Sequence, residues 1–520
     1  MNLKHLLASC LLLLLSLKSA FCQSASAAPD KISITSTPAQ NPLIKGLAAN
    51  PLLHLRIVVP AGHETVSFRS LQVLLNREAN QHLQKLDVFF SDGEPLFATG
   101  NPIASFVPAS PTGTIPLELK LSPGVHTIWL SAAIKSEAGA DAKIELHCTG
   151  LKDAAGKNYP VQEQPGSFKK RIGIAVRKAG DDGVDTYRIP GLVTTDRGTL
   201  IAVYDVRYNN SKDLPANIDV GMSRSTDGGR TWEPMKIVMD MGAPHENNGV
   251  GDPSILFDPV RKKTWIAALW SKGNHSIAGS GPGLSPDESG QLVLVSSEDD
   301  GKTWSQPVNI TAQVKDPAWK ILFQGPGNGI AMQDGKLVFP AQYWNAAGMP
   351  YSTLIWSPDG GTTWKRGTGA KANTTESQLV EAGPGTLMLN MRDNRGSFRS
   401  IATTTNMGMD WTEHSSSYQA LPDPVCMGSL IKATVGVKGK RVDVLFFSNP
   451  YSQCRRENIS IQASRDGGTS WPAANQLLID ERICYGYSAL TKIDDNTIGL
   501  LYEGTKDLYF VRVPVNEIVW

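Results

Sequence analysis

The chain alternates apolar and polar residues in short runs. "HLRIVV" (54–59), "KLDVFF" (85–90), "IPLELKL" (115–121) and "HTIWLSAAI" (126–134) have the length and two-residue period of strands, and Gly, Pro and Asp interrupt them. Over residues 28–163 this pattern predicts an antiparallel β-sandwich, serving either as a spacer or as a carbohydrate-binding unit. The polar stretch "GKNYPVQEQPGSF", residues 156–168, predicts a boundary near its middle. Beyond it, from 164 to 520, come further strand-length runs such as "TLIAVYDV", "TWIAALW", "KLVFPAQYW" and "DVLFFS".

A turn punctuates this second region. "STDGGRTW" (225–232) returns as "SEDDGKTW" (297–304), "SPDGGTTW" (357–364) and "SRDGGTSW" (464–471), and "TTNMGMDW" (404–411) is a worn copy with Asn406 in the Asp position. Successive spacings are 72, 60, 47 and 60 residues, counted between positions 227, 299, 359, 406 and 466. Repeats at that spacing, each with several strand runs, predict the blades of a β-propeller. Five boxed repeats and one sheet made from the two chain ends give six blades. The fold class expected is all-β, a β-sandwich followed by a six-bladed propeller. The box itself reads as scaffold: Asp and Gly make a tight turn, Ser or Thr bonds nearby amides, and Trp fills space between strands.

Residues 1–27 read as an export signal. Lys4 and His5 precede an apolar run from Leu6 to Leu17, and Ala25-Ser26-Ala27 is a small-residue cleavage site, so a mature start is expected near Ala28. No later run approaches the ~18 apolar residues of a membrane helix, so no membrane insertion is expected. With 50 basic and 49 acidic residues the net charge is +1, which gives no field for nucleic acid. An anionic ligand must therefore meet a local cluster. Cys148, Cys426, Cys454 and Cys484 remain after cleavage, and spacing does not pair them. They form no CxxC pattern, and the histidines form no HExxH, so no metal is expected.

Scattered Arg, Asp, Glu and Tyr residues acquire meaning if inner strands converge on one axis. "TYRIPGLV" (186–193), the Asp boxes, "TESQLVE" (375–381), "LNMRDNRGS" (389–397) and "YSALTKIDDNTIGLLYE" (487–503), in this order, resemble bacterial exo-α-sialidases from about Arg171 to Trp520. The preceding region resembles the β-sandwich found ahead of the catalytic domain in some of them. The resemblance implies an exported retaining enzyme acting on terminal sialic acids of glycoproteins, mucins and glycolipids, with no cofactor. Transfer to a sugar hydroxyl, intermolecular or intramolecular, is the alternative fate of the same intermediate; a non-catalytic glycan-binding propeller is the contrasting class. A monomer is the default.

By the same resemblance Arg188, Arg392 and Arg456 clamp the sialic acid carboxylate, Arg456 being preferred to Arg455 because it stands two residues before Asn458. Guanidinium groups pair bidentately with carboxylates and stay charged at any relevant pH. Glu503 matches the glutamate that steadies the first arginine. Tyr487 matches the nucleophile and Glu376 its base: a neutral phenol avoids the repulsion that a carboxylate would meet at an anomeric carbon bearing its own carboxylate. Tyr485, expected on the same strand face, is assigned to packing. Asp213 matches the acid/base, and its role calls for a raised pKa. Arg207 and Asp252 match pocket residues on the hydroxyl and acetamido side of the sugar.

Overall fold

In a computed structural model, the structure describes residues 31–92 and 97–520. The export signal expected at 1–27 lies outside the described residues. Among the described residues no helix is long and apolar enough to cross a membrane. The same residues hold no disulfide, with Cys148, Cys426 and Cys484 buried as free thiols and Cys454 exposed.

The alternating runs at the start form two facing sheets. One is ordered Gln162–Glu163, Ser33–Pro38, Asn50–Val59, Gly124–Ile134, Leu83–Asp92, Ala104–Phe106; the other contains Lys143–Asp153, Val66–Leu75 and Thr112–Leu121. Leu55, Ile57, Val88 and Leu130 of the first meet Phe68, Leu71, Ile115 and Leu146 of the second in one buried core. Each strand contributes every second residue to it, as the pleat requires.

The second sheet does not end at the sandwich. Strand Lys169–Arg177 pairs at its start with Lys143–Asp153 (Lys169 opposite Glu145) and at its end with Leu508–Pro514 (Ile174 opposite Phe510). Leu43–Lys45 pairs beside it in parallel. One hydrogen-bonded sheet thus runs from the sandwich into the last antiparallel sheet of the chain, Ser488–Asp494, Thr497–Glu503 and Leu508–Pro514. Asp141 adds a polar tie, accepting from Arg512 Nε at 2.6 Å and from Arg230 of the first Asp box at 2.8 Å.

Between these ends, successive antiparallel sheets are led by Thr186–Thr194, Asn248–Asp258, Ile321–Gln324, Thr374–Gly383 and Ser429–Val437. Their leading strands pack in a ring. Thr186–Thr194 touches both Asn248–Asp258 and Ser488–Asp494, and Gly327–Asn328 bridges Asn248–Asp258 to Thr374–Gly383, which meets Ser429–Val437, which meets Ser488–Asp494. The second strand of each sheet is covered on both faces, as in Leu200–Arg207, where every residue is buried.

The Asp boxes follow the third strand of their sheets. In the first, Asp227 Oδ1 accepts from the amides of Arg230 and Thr231 at 2.9 and 3.0 Å, and Thr231 Oγ1 donates to Oδ2 at 2.6 Å. All three bonds recur around Asp299, and the last two, the amide and hydroxyl of the residue four positions on, recur around Asp359 and Asp466. Asn406 keeps the acceptor role toward the Asp410 amide and turns its amide nitrogen to the Asp410 carboxylate. Trp232 packs edge-on against Phe510 of the neighbouring sheet and Trp364 against Trp265. Gly229 has φ +85°, and a Cβ there would lie 2.2 Å from the Phe510 ring, so only glycine closes this turn.

Candidate active site

Two cavities lie at opposite ends of the ring. The larger, about 660 Å³, is lined by Val193, Val380, Leu430 and Leu490 with Lys432 and Lys492, and both lysines are already paired, with Asp443 and Asp495. The smaller, about 360 Å³, gathers Arg188, Asp213, Asp252, Glu376, Arg392, Arg456 and Tyr487. Chemistry, not size, marks it as the functional one.

The inner strands break their register where they reach this cavity. Pairing shifts between Arg188 and Gly191, between Gly251 and Ser254, and between Thr374 and Ser377. Each irregularity re-aims a side chain that a regular strand would send elsewhere. Ile189 and Asp252 take φ of +56° and +55°, a strained choice for residues followed by proline and more so for β-branched Ile189. Carboxylates hold both in place: Glu503 Oε1 accepts the Ile189 amide at 2.9 Å and Asp205 Oδ1 the Asp252 amide at 2.8 Å.

Three guanidinium groups share the cavity, each tethered differently. Arg188 Nε donates to Glu503 at 3.0 Å, Arg392 Nη1 to Glu376 at 2.6 Å, and Arg456 to the carbonyls of Tyr485 and Val425 at 3.0 and 3.1 Å. Arg392 Nε is buried without a partner. Arg455, by contrast, is exposed and does not line the cavity, so the geometry selects Arg456 from the pair. Glu503 is fully buried beneath Arg188 and does not reach the cavity wall. Its partners include Arg188 and the Ile189 amide, so it acts on the cavity through Arg188.

Tyr487 hydroxyl donates to Glu376 Oε1, and Arg392 Nη1 donates to the same hydroxyl at 3.1 Å. Burial, then the Glu376 charge, raises the phenol well above its ordinary pKa, with Arg392 and Arg188 opposing. At rest the phenol is therefore protonated, with an acceptor for its proton already in contact. Residues 484–487 precede the strand Ser488–Asp494, and Gly486 at φ +95° breaks the alternation expected there. Even so the rings of Tyr485 and Tyr487 both flank the Arg188 guanidinium, at 4.8 and 5.2 Å.

Asp213 departs from expectation. Its side chain is 75% exposed on the loop after Arg207, where it accepts from Arg207 at 2.7 Å and from Arg188 at 3.4 Å. Desolvation pushes its pKa up, but the charges of Arg207 and Arg188 outweigh it and hold the carboxyl below its ordinary value. The free site thus holds Asp213 as an anion, where a raised pKa is expected of an acid. Arg207 is also placed differently from expectation: it is 1% exposed, committed to Asp205, Asp213 and the Ser211 carbonyl, and stands behind the residues that line this cavity. Asp252 does line the cavity, and burial, then the charges of Asp205, Asp213 and Glu376, raise its pKa well above the ordinary range.

Several wall residues carry no motif of their own. Leu214, Leu269, Ile277 and Trp344 form an apolar side, and Gln342 and Asn394 a polar one. Asp205, buried behind the wall, had a readable signal: it stands two residues before Arg207, which puts both on one face of a strand.

The loop bearing Asp213 is clamped at its base, where Tyr208 hydroxyl donates to the buried Asp219 at 2.9 Å. Burial, then the nearby Asp240 charge, pushes Asp219 up to about 6 against Tyr208 and His245. A raised folded pKa gives stability that is complete below about pH 4 and lost as pH rises through 6. Asp219→Asn should accordingly raise the denaturation midpoint at pH 7.5, with a ceiling of ~3 kcal/mol, and give no gain at pH 4. Denaturant titrations at the two pH values check this; an equal gain at both would contradict it.

Comparison with known proteins agrees with this geometry. Residues 189–478 match the BNR repeat-like domain, and residues 29–157 match the N-terminal domain of BNR-repeat neuraminidase. A sialidase of Bacteroides fragilis is 47% identical over 410 residues, covering 77% of this chain and 75% of that protein. A sialidase of Micromonospora viridifaciens is 34% identical over 334 residues, 62% of this chain and 50% of that one. Among solved structures, a Hadza microbial sialidase superposes with TM-score 0.85 at 39% identity, covering 93% of this chain and all of the other. The chain belongs to the BNR-repeat sialidase family and is a glycoside hydrolase of the exo-α-sialidase type.

Proposed function

We propose that this enzyme releases terminal α-linked sialic acids from glycoproteins, mucins and glycolipids with retention of configuration, and that its leader-like first residues direct its export. One observation carries the mechanism: a tyrosine hydroxyl bonded to a glutamate in a cavity flanked by three arginines. The substrate carboxylate sits against Arg188, Arg392 and Arg456, which sets the anomeric carbon before Tyr487. Glu376 accepts the phenolic proton as the oxygen attacks, so negative charge never builds fully on Tyr487.

Asp213 supplies the proton to the departing glycan. The bound carboxylate competes for Arg188, so Asp213 loses part of the attraction that keeps it ionised while a sugar covers it. Both changes raise its pKa toward that of a working acid. Having given up its proton, Asp213 is the base that draws one from water, and water then cleaves the tyrosyl–sugar bond.

Proton NMR of the first product formed from α2,3- and α2,6-sialyllactose tests this reading. The α-anomer should appear first and mutarotate afterwards. First appearance of the β-anomer would exclude a tyrosyl intermediate, and a transferred or anhydro sugar would exclude hydrolysis as the main reaction.

A further inference from the structure

We infer that Arg399, a buried arginine outside the cavity, is a positioning residue that sets the direction of two arginines of the carboxylate clamp. The inference rests on the clamp described under the proposed function.

Arg399 is fully buried. A charge there costs several kcal/mol unless its donors are satisfied, and an apolar side chain of similar size would fill the space more cheaply. What a guanidinium adds is direction. Nε donates to Asn390 Oδ1 at 2.7 Å, Nη2 to the Asn390 carbonyl at 3.2 Å, and Nη1 to the Cys426 carbonyl. Nη1 also lies 3.6 Å from Asp423 Oδ2, and the group stands 5.7 Å from the Phe447 ring.

These partners lead to the clamp by two short routes. Asn390 stands two residues before Arg392 on strand Thr386–Asp393, so both project from one face of it. Gripping Asn390 by side chain and carbonyl fixes the stretch of strand from which Arg392 extends. Cys426 follows Val425, whose carbonyl accepts from Arg456 Nη2 at 3.1 Å. Val425 has φ +59°, a costly conformation for a β-branched residue, and the bonds on Cys426 hold it. Asp423 accepts the Cys426 amide at 2.9 Å while Arg399 takes the carbonyl, so this peptide stretch is gripped on both sides. Cys426 also packs with Ile189 and Tyr487.

The three arginines of the clamp therefore have two supports. Glu503 holds Arg188; Arg399 joins the strand of Arg392 to the segment that anchors Arg456, across two adjacent sheets. Neither Arg392 nor Arg456 has a fully buried carboxylate of its own beneath it, and Arg399 supplies the rigidity that such a group would give.

The test is Arg399→Lys, with Arg399→Met beside it. Lysine keeps a cation near Asp423 and can reach the Cys426 carbonyl, but it loses the fork on Asn390. Arg399→Met leaves the buried Asp423 without its counter-charge, so it can fail to fold, and Arg399→Lys alone then decides. For folded Arg399→Lys we expect KM for sialyllactose, and Kd for free sialic acid by calorimetry, to rise ~10-fold with kcat within ~3-fold, the pattern of lost binding common to ground and transition states. A purely structural arginine predicts otherwise: a smaller active fraction lowers apparent kcat and leaves KM and Kd unchanged. KM and Kd within twofold of the parent would overturn the inference. Failure of the clamp itself is separately visible, because the unsubstituted enzyme would then bind no free sialic acid.

Discussion

Tyr487→Phe loses at least ~100-fold in turnover, the scale of a positioned catalytic group, while its unfolding transition stays where it was. The ring of Tyr487 is 5% exposed and packs with Ile189, Cys426 and Met427, and phenylalanine preserves that packing. What disappears is the hydroxyl, together with its bond to Glu376 and the one from Arg392. Arg392 and Glu376 remain joined at 2.6 Å, so neither is left as an uncompensated charge. Steady-state kinetics with sialyllactose and a thermal melt measure the two halves of this expectation. Activity equal to the parent's would remove Tyr487 from the role of nucleophile, whatever the melt shows.

Glu503→Gln is expected to damage both stability and rate. Glu503 accepts four contacts: Arg188 Nε at 3.0 Å and the Ile189 amide at 2.9 Å on Oε1, and the Tyr487 amide at 2.9 Å and Arg188 Nη2 at 3.5 Å on Oε2. Every partner is a donor. Glutamine turns one acceptor into a donor, which then faces donors on that side, and it strips the buried Arg188 of its counter-charge. Breaking such a pair from one side costs ~3–5 kcal/mol. Because the same carboxylate holds the amide of the nucleophile and the strained Ile189, kcat/KM should fall by ~100-fold or more, the range seen when a misplaced catalytic geometry is the cause. Denaturant midpoint and kcat/KM must move together; a large loss of stability with intact kcat/KM would show that Glu503 supports the fold and not the site.

The motif residues were legible in sequence because each is written into a short string that lies on an inner strand or, for Tyr487, directly before one. Arg188 in "YRIP", Arg392 in "LNMRD", Glu376 in "TESQ" and Tyr487 in "GYSA" all arrive at one cavity. Arg455 and Arg456 could not be separated by spacing with the same force, since their difference is which side of an irregular segment faces inward. Residues 451–458 form no strand, and only coordinates show Arg456 reaching the Tyr485 carbonyl while Arg455 stays exposed.

Groups that act through other groups were hidden for another reason. Arg399 and Asp205 have no local partner pattern beyond a strand alternation, and their meaning depends on carbonyls and amides from other sheets. The ionised state of Asp213 in the free site was not legible because its pKa depends on Arg207 and Arg188 in space, not on the loop sequence around it. In the fold, the short alternating runs announced the strands, and the Asp boxes announced the repeated sheets. The strand Lys169–Arg177, shared between the sandwich and the last sheet, was not announced by anything in its own composition.

That shared strand also sets a timetable. A ring whose final sheet joins residues 169–177 to residues 508–514 stays an open arc until residues 508–514 leave the ribosome. Tyr487 and Glu503 lie in the late-made part, while Arg188, Asp213 and Asp252 are made long before them. Non-local closures of this kind are slow, and until then strand Lys169–Arg177 exposes an unpaired edge that other chains can join. The sandwich, completed early and already hydrogen-bonded to strand Lys169–Arg177, gives that waiting edge a folded neighbour on one side.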